Sequence, residues 1–365
     1  MNKEKFKIVI ATGGSGGHLF PALKVAQELR KGQHDIQLIG SFGLGIEKIK
    51  KAGFSFVNLQ AVGLTKGNIL KKINIVGTMI KAIFSSFKIL KQIKPDIVLG
   101  FGGYGAFPIV LSAVFLHIPT MIHEQNVVPG RANAILAHWV NKIGISFRQS
   151  QKFFKKNNTI LTGCPIHLEI GLQSKMEILK KFQLEDHKFT ILVFGGSQGS
   201  HRINEVFLQV VEHLKGVLDF QVIHISGSKD YTELKEHYSK LAVPFALFEF
   251  LDHIEDAYFL ADVIISRAGA STITEIAMFD KPAILIPYPH AQSHQKENAL
   301  ILCESNRARL IEEQYLTTER LKNTVLEIKT ALLRNELQDY DKDIYILNST
   351  QRIAQELLMI TNEKN

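Results

Sequence analysis

One local pattern occurs twice in this chain and leaves few folds open to it. IVIATGGSGGH starts at Ile8 and ILVFGGSQGSH starts at Ile191. Each is a short apolar run, a Gly-Gly-Ser turn, a further glycine and then a helical stretch. A buried strand feeding a glycine turn and a helix start is how an α/β protein presents backbone N–H groups to a phosphate. Its recurrence predicts two similar Rossmann-like halves, each built on a parallel sheet, with a cleft between them. A phosphate-holding loop on each side can close that cleft. The length of 365 residues, more than one core usually holds, agrees with two domains.

A third stretch of this kind is DVIISRAGASTITEIA, Asp262 to Ala277. It reads as a strand (Val263 to Ile265), a small-residue turn (Ala268 to Ser271) and a helix opening at Thr272. Glu275 then sits about one turn into the helix. There it can accept two hydrogen bonds from a ribose diol while the helix N-terminus holds phosphates. Alternatively, Thr272 and Glu275 form a capping box, which needs no ligand.

The remaining elements fill in an alternating α/β order. Lys7 to Ala11 is a strand, Thr12 to His18 a glycine turn, Pro21 to Leu29 a helix and Ile36 to Ile39 a strand. The glycines do not fit G-x-G-x-x-G, and Gly40 and Ser41 stand where a dinucleotide site has an acid. Both points count against NAD or FAD. Pro95 to Gly100 is a strand leading into FGGYGAFP, Phe101 to Pro108, a second glycine loop before a helix. Thr120 to His123 is a strand ending in HEQNVVPGRAN, His123 to Asn133. Polar groups there either contact a ligand at the sheet's C-terminal edge or cap the next helix. Strands follow at Gln221 to Ile225, Ala246 to Phe250 and Ala283 to Pro289. Ser349 to Ile360 is an amphipathic helix with a Ser or Thr cap. Asp339 to Asp343 (DYDKD) imitates a metal-binding carboxylate pair, but in a charged linker away from the glycine loops it reads as a solvated run.

Charge narrows the partners. A net charge of +8 points to nucleic acid, anionic lipid or a phosphorylated substrate. No Asp or Glu occurs from Lys48 to Pro95, where Lys66, Lys71, Lys72, Lys81, Lys88, Lys91 and Lys94 interleave with large apolar residues. Such a segment either lies on an anionic membrane surface or buries one face in its own core. Cys164 and Cys303 make no metal or redox spacing, which fits a reducing cytosol. The N-terminus runs almost directly into a strand, so no signal peptide is expected. The longest apolar stretch, Ala106 to Ile122, is interrupted by Pro108, His117 and Pro119 and is too short to span a bilayer.

Taken in order, ATGGSGGHLFP, FGGYGAFP, HEQN, TGCPI, FGGSQGS, SRAGASTITE and PHAQSHQKENA resemble the MurG family over nearly the whole chain, from Ile8 to about Ile360. The resemblance implies a GT-B fold. Residues 1–163, with a C-terminal helix at about 345–365 packing back, would face acceptor and membrane, and residues 164–344 would bind the donor. It implies inverting transfer of GlcNAc from UDP-GlcNAc to the C4 hydroxyl of MurNAc on undecaprenyl-pyrophosphoryl-MurNAc-pentapeptide. No cofactor or metal is implied, and the place of action would be the cytoplasmic face of the plasma membrane, peripherally, through the Lys66 to Lys94 region.

By the same resemblance, Ser15, Gly16, Gly17, Asn126, His167, Ser197, Leu251, Gln295 and Ala270 to Glu275 (Ala270, Ser271, Thr272, Ile273, Thr274, Glu275) would contact UDP-GlcNAc. Leu251 would meet the uracil, Glu275 the ribose hydroxyls and Gln295 the sugar. Gly14, Gly103, Tyr104 and Glu124 would contact the acceptor. His18 is the position proposed as general base, an imidazole suited to the role by its ordinary pKa of about 6.5. It could instead hydrogen-bond its helix or the acceptor phosphate.

Three positions depart from the family pattern. His167 replaces an Arg of the donor site, His201 replaces the Arg that commonly follows GGSQG-Ala, and Ser15 replaces a Thr. Loss of a bidentate, fixed charge predicts weaker UDP-GlcNAc binding, partly restored at acid pH if His167 faces the phosphates. Unchanged affinity in His167→Arg would sink that expectation. The rival readings are a UDP-GlcNAc 2-epimerase-like enzyme, which would leave GGSGGH and FGGYGAFP unexplained, and a degenerate membrane-peripheral binding protein. No aromatic motif of the RNA-binding type is present, so nucleic acid is not expected.

Overall fold

The computed structural model describes residues 5–59, 69–155, 158–166, 173–196, 199–289 and 294–362. The chain divides into two compact units, Met1–Ile166 with Tyr345–Asn365, and His167–Ile344.

The first unit runs β1 (Lys7–Gly13), α1 (Gly16–Lys31), β2 (Asp35–Ser41), α2 (Ile46–Lys51), β3 (Ser55–Asn58), α3 (Ile69–Ile93), β4 (Ile97–Gly100), α4 (Gly103–Phe115), β5 (Thr120–Glu124), α5 (Arg131–Leu136), β6 (Lys142–Ile145) and β7 (Thr159–Leu161). Among the described residues seven strands form one sheet in the order β3-β2-β1-β4-β5-β6-β7. Every pairing is parallel. β4 is a continuous apolar run, β1 is apolar from Ile8 to Ala11 and β5 is buried throughout, because both faces of a parallel sheet are covered by helices.

The second unit runs α6 (Lys175–Phe182), β8 (Phe189–Phe194), α7 (His201–Leu214), β9 (Phe220–Ile225), α8 (Tyr231–Lys240), β10 (Phe245–Phe248), α9 (Ile254–Leu260), β11 (Val263–Ser266), α10 (Ala270–Met278), β12 (Ala283–Leu285), α11 (His294–Cys303), β13 (Ala308–Leu310) and α12 (Thr318–Leu333). Its described strands form a six-stranded parallel sheet, order β10-β9-β8-β11-β12-β13. The last helix, α13 (Ser349–Asn362), belongs to the first unit. Its Ile353, Ala354, Leu357 and Ile360 enter the core with Phe6, Ile8 and Leu29.

Both sheets have a topological switch point, where the strand order reverses: β1/β4 in the first and β8/β11 in the second. Ligands of open α/β sheets bind at the carboxyl ends of the strands flanking such a point. The loops ending at Ser15 and Gly102 flank the first. Gly195 and Gly196 after β8, and Arg267–Gly269 after β11, flank the second.

Several helix boundaries differ from the sequence reading. α1 begins at Gly16, not Pro21, so Gly16, Gly17 and His18 form its first turn. α4 likewise begins at Gly103, inside the stretch read as loop. Pro21 and Pro108 each stand sixth in their helix, where each removes one internal hydrogen bond without ending it. α10 begins at Ala270 with Gly269 as cap and no side-chain cap bond. The Thr272–Glu275 capping box is therefore not formed, because Thr272 already lies within the helix. β10 ends at Phe248, leaving Phe250 and Leu251 beyond it. The Ser349 hydroxyl donates to Cys164 O at 2.9 Å. DYDKD is not merely solvated: Tyr340 is buried and its hydroxyl donates to Lys281 O at 3.0 Å.

Candidate active site

In the first unit the Gly14 backbone lies against the Phe42 carbonyl, with no room for a side chain. Ser15 is the N-cap of α1, yet its hydroxyl makes no cap bond. Instead Ser15 Oγ and His18 Nδ1 are 2.6 Å apart. This pairing fixes the imidazole in place and leaves its Nε2 edge turned away from the serine. Gly103, at φ +74°, adopts a conformation that favours glycine. A side-chain carbon there would lie 3.6 Å from Gly13 Cα and 3.7 Å from His18 Nδ1. The loops after β1 and β4 thus meet with His18 beside Gly103. Gly16 and Gly17 complete the first turn of α1, and Tyr104, half-buried, lies in the first turn of α4.

The HEQN segment is largely occupied by its own fold. Glu124 is buried; its Oε1 accepts from Asn126 N (2.9 Å) and Asn126 Nδ2 (3.2 Å), and its Oε2 from Gly130 N (3.0 Å) and Asn133 Nδ2 (2.9 Å). These four bonds fill the carboxylate's capacity, so Glu124 shapes the loop that carries Asn126 instead of presenting a free carboxylate to acceptor. His123 is fully buried between Gly163 O and Gln125 Nε2, both at 3.0 Å. Burial pushes its pKa down to about 4, so it is neutral at pH 7.

In the second unit, the first bond within α10 runs from Ile273 N to Gly269 O. The first-turn amides of Ala270, Ser271 and Thr272 precede it and carry the positive end of the helix dipole. Ile273 is fully buried and Thr274 Oγ1 donates to Ala270 O at 2.9 Å, so these two side chains serve the core and the helix. Glu275 keeps part of its surface. Its Oε2 accepts the Tyr258 hydroxyl at 2.8 Å. Burial pushes its pKa up to about 7, against the lowering effect of the tyrosine bond and with a further rise from Glu255. Gln295, at the start of α11, accepts Tyr288 N through its Oε1 at 2.8 Å, which leaves its NH₂ end to donate. Leu251 is half-buried past the end of β10.

Arg267 was not singled out from sequence, although it lies within the SRAGAS motif. It is only 8% exposed and joins three loops at this edge of the sheet. Nη1 donates to Ile286 O (3.1 Å) and Pro287 O (3.3 Å), while Nη2 donates to Ser200 Oγ (2.8 Å) and to Glu313 Oε2. No motif spacing marks these partners. His201 turns to Asp230 Oδ1 at 3.1 Å. His167 and Ser197 lie outside the described residues.

A surface feature accompanies the site. Within α3, Ile75, Ala82 and Leu90 are buried, whereas Val76, Ile80 and Phe84 are exposed at four-residue spacing, Phe84 by 66%. Phe87 stacks on exposed Phe115 of α4 at 6.3 Å. Lys81, Lys88 and Lys91 are exposed on the same helix. One face of the helix is thus buried in the core, as one of the two readings from sequence expected, while these apolar side chains and lysines stay exposed. Among the described residues no helix is long and apolar enough to cross a membrane.

Comparison with known proteins agrees with this architecture. The glycosyltransferase family 28 N-terminal domain matches residues 8–145 and its C-terminal domain residues 190–357. A Geobacter metallireducens protein is 36% identical over 358 residues, covering 96% of this chain and 98% of its own. It is named UDP-N-acetylglucosamine--N-acetylmuramyl-(pentapeptide) pyrophosphoryl-undecaprenol N-acetylglucosamine transferase. A Desulforamulus reducens protein of the same name is 32% identical, with 95% and 94% covered. The crystal structure of Acinetobacter baumannii MurG superposes with a TM-score of 0.78 at 26% identity, covering 98% of this chain and all of that one. A Neisseria meningitidis UDP-GlcNAc 2-epimerase superposes at 0.69 with 15% identity, a likeness of fold alone. The expected GT-B class, with a parallel α/β sheet in each of two units, is met, and the chain belongs to glycosyltransferase family 28, among its MurG-type N-acetylglucosamine transferases.

Proposed function

We propose that this enzyme transfers GlcNAc from UDP-GlcNAc to the C4 hydroxyl of MurNAc on undecaprenyl-pyrophosphoryl-MurNAc-pentapeptide, with inversion at the anomeric carbon and without a divalent metal. The observation that carries the reading is the pair of switch points. One gathers glycine backbone and His18; the other gathers the N-terminus of α10, Glu275 and the Arg267-held loop.

On this reading the second unit holds the donor. Glu275 accepts the ribose hydroxyls, the first turn of α10 faces the diphosphate, and Gln295 donates to a sugar oxygen. Leaving UDP gains negative charge on its β-phosphate, which a helix N-terminus favours. The first unit holds the acceptor at Gly14, Gly103 and Tyr104, with Glu124 as the support of the Asn126 loop. When Ser15 Oγ accepts the Nδ1 proton of His18, Nε2 carries the lone pair. It then takes the proton of the attacking C4 hydroxyl as the new C–O bond forms and the bond to UDP breaks. The exposed apolar stripe of α3 with Phe115 and the surrounding lysines supports peripheral binding to an anionic membrane, the cytoplasmic face of the plasma membrane, where a lipid-linked acceptor is presented.

The test is UDP release by the full chain with and without a short-chain acceptor analogue, in EDTA. Acceptor-dependent release with a disaccharide product, lost in His18→Ala, is the expected result. Conversion of UDP-GlcNAc to UDP-ManNAc in the absence of acceptor, with no net release of UDP, would overturn it in favour of an epimerase.

A further inference from the structure

The donor-side carboxylate has a partner that the transfer reaction does not itself require. Tyr258, on α9, is fully buried. Its ring stacks on Phe279 at 5.3 Å and 17°, and stands edge-on to Phe194 at 5.9 Å and 89°. Phe194 ends β8, immediately before the glycine loop of the second switch point. The phenol is thereby clamped between two aromatic rings from the elements that flank the site, and its hydroxyl donates to Glu275 Oε2 at 2.8 Å.

We propose that Tyr258 is a positioning residue for the donor: it holds one oxygen of Glu275 so that the other meets the ribose diol, and thereby sets the preference for a ribonucleotide. The proposal rests on the reading of Glu275 as the ribose acceptor.

A carboxylate on an unrestrained glutamate has three rotatable bonds and gains little from a diol once the entropy of ordering is subtracted. Here Oε2 is already fixed, which leaves the two lone pairs of Oε1 for the two ribose hydroxyls. The donor role of Tyr258 is secure, because burial and the neighbouring carboxylate push its pKa well above 10. Besides burial, the groups acting on Glu275 come from α9. Tyr258 favours its ionised form and Glu255 disfavours it. Glu255 is in turn hydrogen-bonded to His253 Nδ1 at 3.0 Å. With Glu275 held near pH 7 by burial, the tyrosine bond decides how much carboxylate is available to accept.

The test compares calorimetric affinities of the full chain for UDP and 2′-deoxy-UDP between pH 6 and 8. Wild type prefers UDP. Tyr258→Phe keeps the stacked ring and loses the hydroxyl; the preference falls by about tenfold, the scale of one charge-assisted hydrogen bond. The pH below which UDP binding fails moves up in this variant. In turnover the KM for UDP-GlcNAc rises while kcat stays within about twofold, as expected for lost uniform binding. Replacing Tyr258 by 3-fluorotyrosine, a stronger donor, moves the pH limit down, a sign that structural damage does not produce. Glu275→Ala removes the preference altogether. If Glu275→Ala loses the preference and Tyr258→Phe retains it with an unmoved pH limit, the positioning role is wrong. If Glu275→Ala itself retains the preference, the ribose reading beneath it is wrong.

Discussion

Arg267 offers a test in which stability and donor binding should separate. Its guanidinium is nearly buried, lies over the Tyr288 ring at 5.4 Å and pairs with Glu313, whose side chain is 23% exposed. Arg267→Met keeps much of the stem but leaves the Glu313 carboxylate and the carbonyls of Ile286 and Pro287 without these donors. Breaking a buried ion pair by removing one partner costs about 3–5 kcal/mol, and the partial exposure of Glu313 places this case near ~3 kcal/mol. The cost is mostly an uncompensated charge, so Arg267→Met with Glu313→Gln should recover about half or more of it. UDP affinity should not recover, because Ser200 has lost the bond that fixes the glycine loop in both variants. Urea unfolding and UDP calorimetry on the single and double variants provide the readout. A single variant destabilised by less than ~1 kcal/mol, or a double variant with restored UDP affinity, would refute the reasoning.

The other predictions use different parts of the molecule. The Glu275 carboxyl has its pKa raised from 4.5 to about 7, so the fold carries a penalty for ionising it that is absent below pH 4.5 and grows as pH rises through 7. Glu275→Gln should therefore leave stability unchanged at pH 4.5 and raise it at pH 8, by at most ~3.5 kcal/mol at about 1.4 kcal/mol per unit, while weakening UDP binding; a pH-independent difference in unfolding free energy would contradict this. Ser15→Ala should lower kcat about tenfold or more by freeing the His18 ring, with Ser15→Thr restoring it. Because the Ser15 hydroxyl does not cap α1, stability should change by less than the ~1 kcal/mol of a true cap loss, as thermal unfolding would reveal. Phe84→Glu should change stability by no more than about 0.5 kcal/mol yet abolish sedimentation with anionic vesicles; undiminished binding would remove α3 from the membrane surface.

How much was legible in the sequence depended on how local the determining interactions are. The glycine loops could be read because each depends on its own backbone and the strand before it. Parallel strands showed as apolar runs for the same reason. Helix starts were misplaced at Pro21, beyond Pro108 and at Thr272. Proline or a cap motif usually marks a first turn, but here glycine-led turns precede them and leave their amides toward the switch points. Glu124 read as ligand-facing because its type and position fit. Only the fold shows Gly130 and Asn133 converging on it. Tyr258 and Arg267 gave no signal, since Glu275, Ser200 and Glu313 reach them across separate strands and helices. Burial of these groups, and hence the raised pKa of Glu275, has no counterpart in a linear pattern.

The placement of α13 affects how the protein is made. The first unit contains the first residues of the chain and also nearly the last: Ile353, Leu357 and Ile360 fill its core beside Phe6 and Ile8, and Glu356 pairs with Lys142 at 2.8 Å. A polypeptide emerging from the ribosome therefore synthesises the β1–β7 sheet early but cannot seal it until the whole second unit has been made and α13 follows. The second unit, continuous in sequence, has every strand available before then. The N-terminal sheet passes that interval with an unsealed apolar face, exposed to chaperones and proteases. A premature stop between the second unit and α13 should accordingly damage the half of the protein made first.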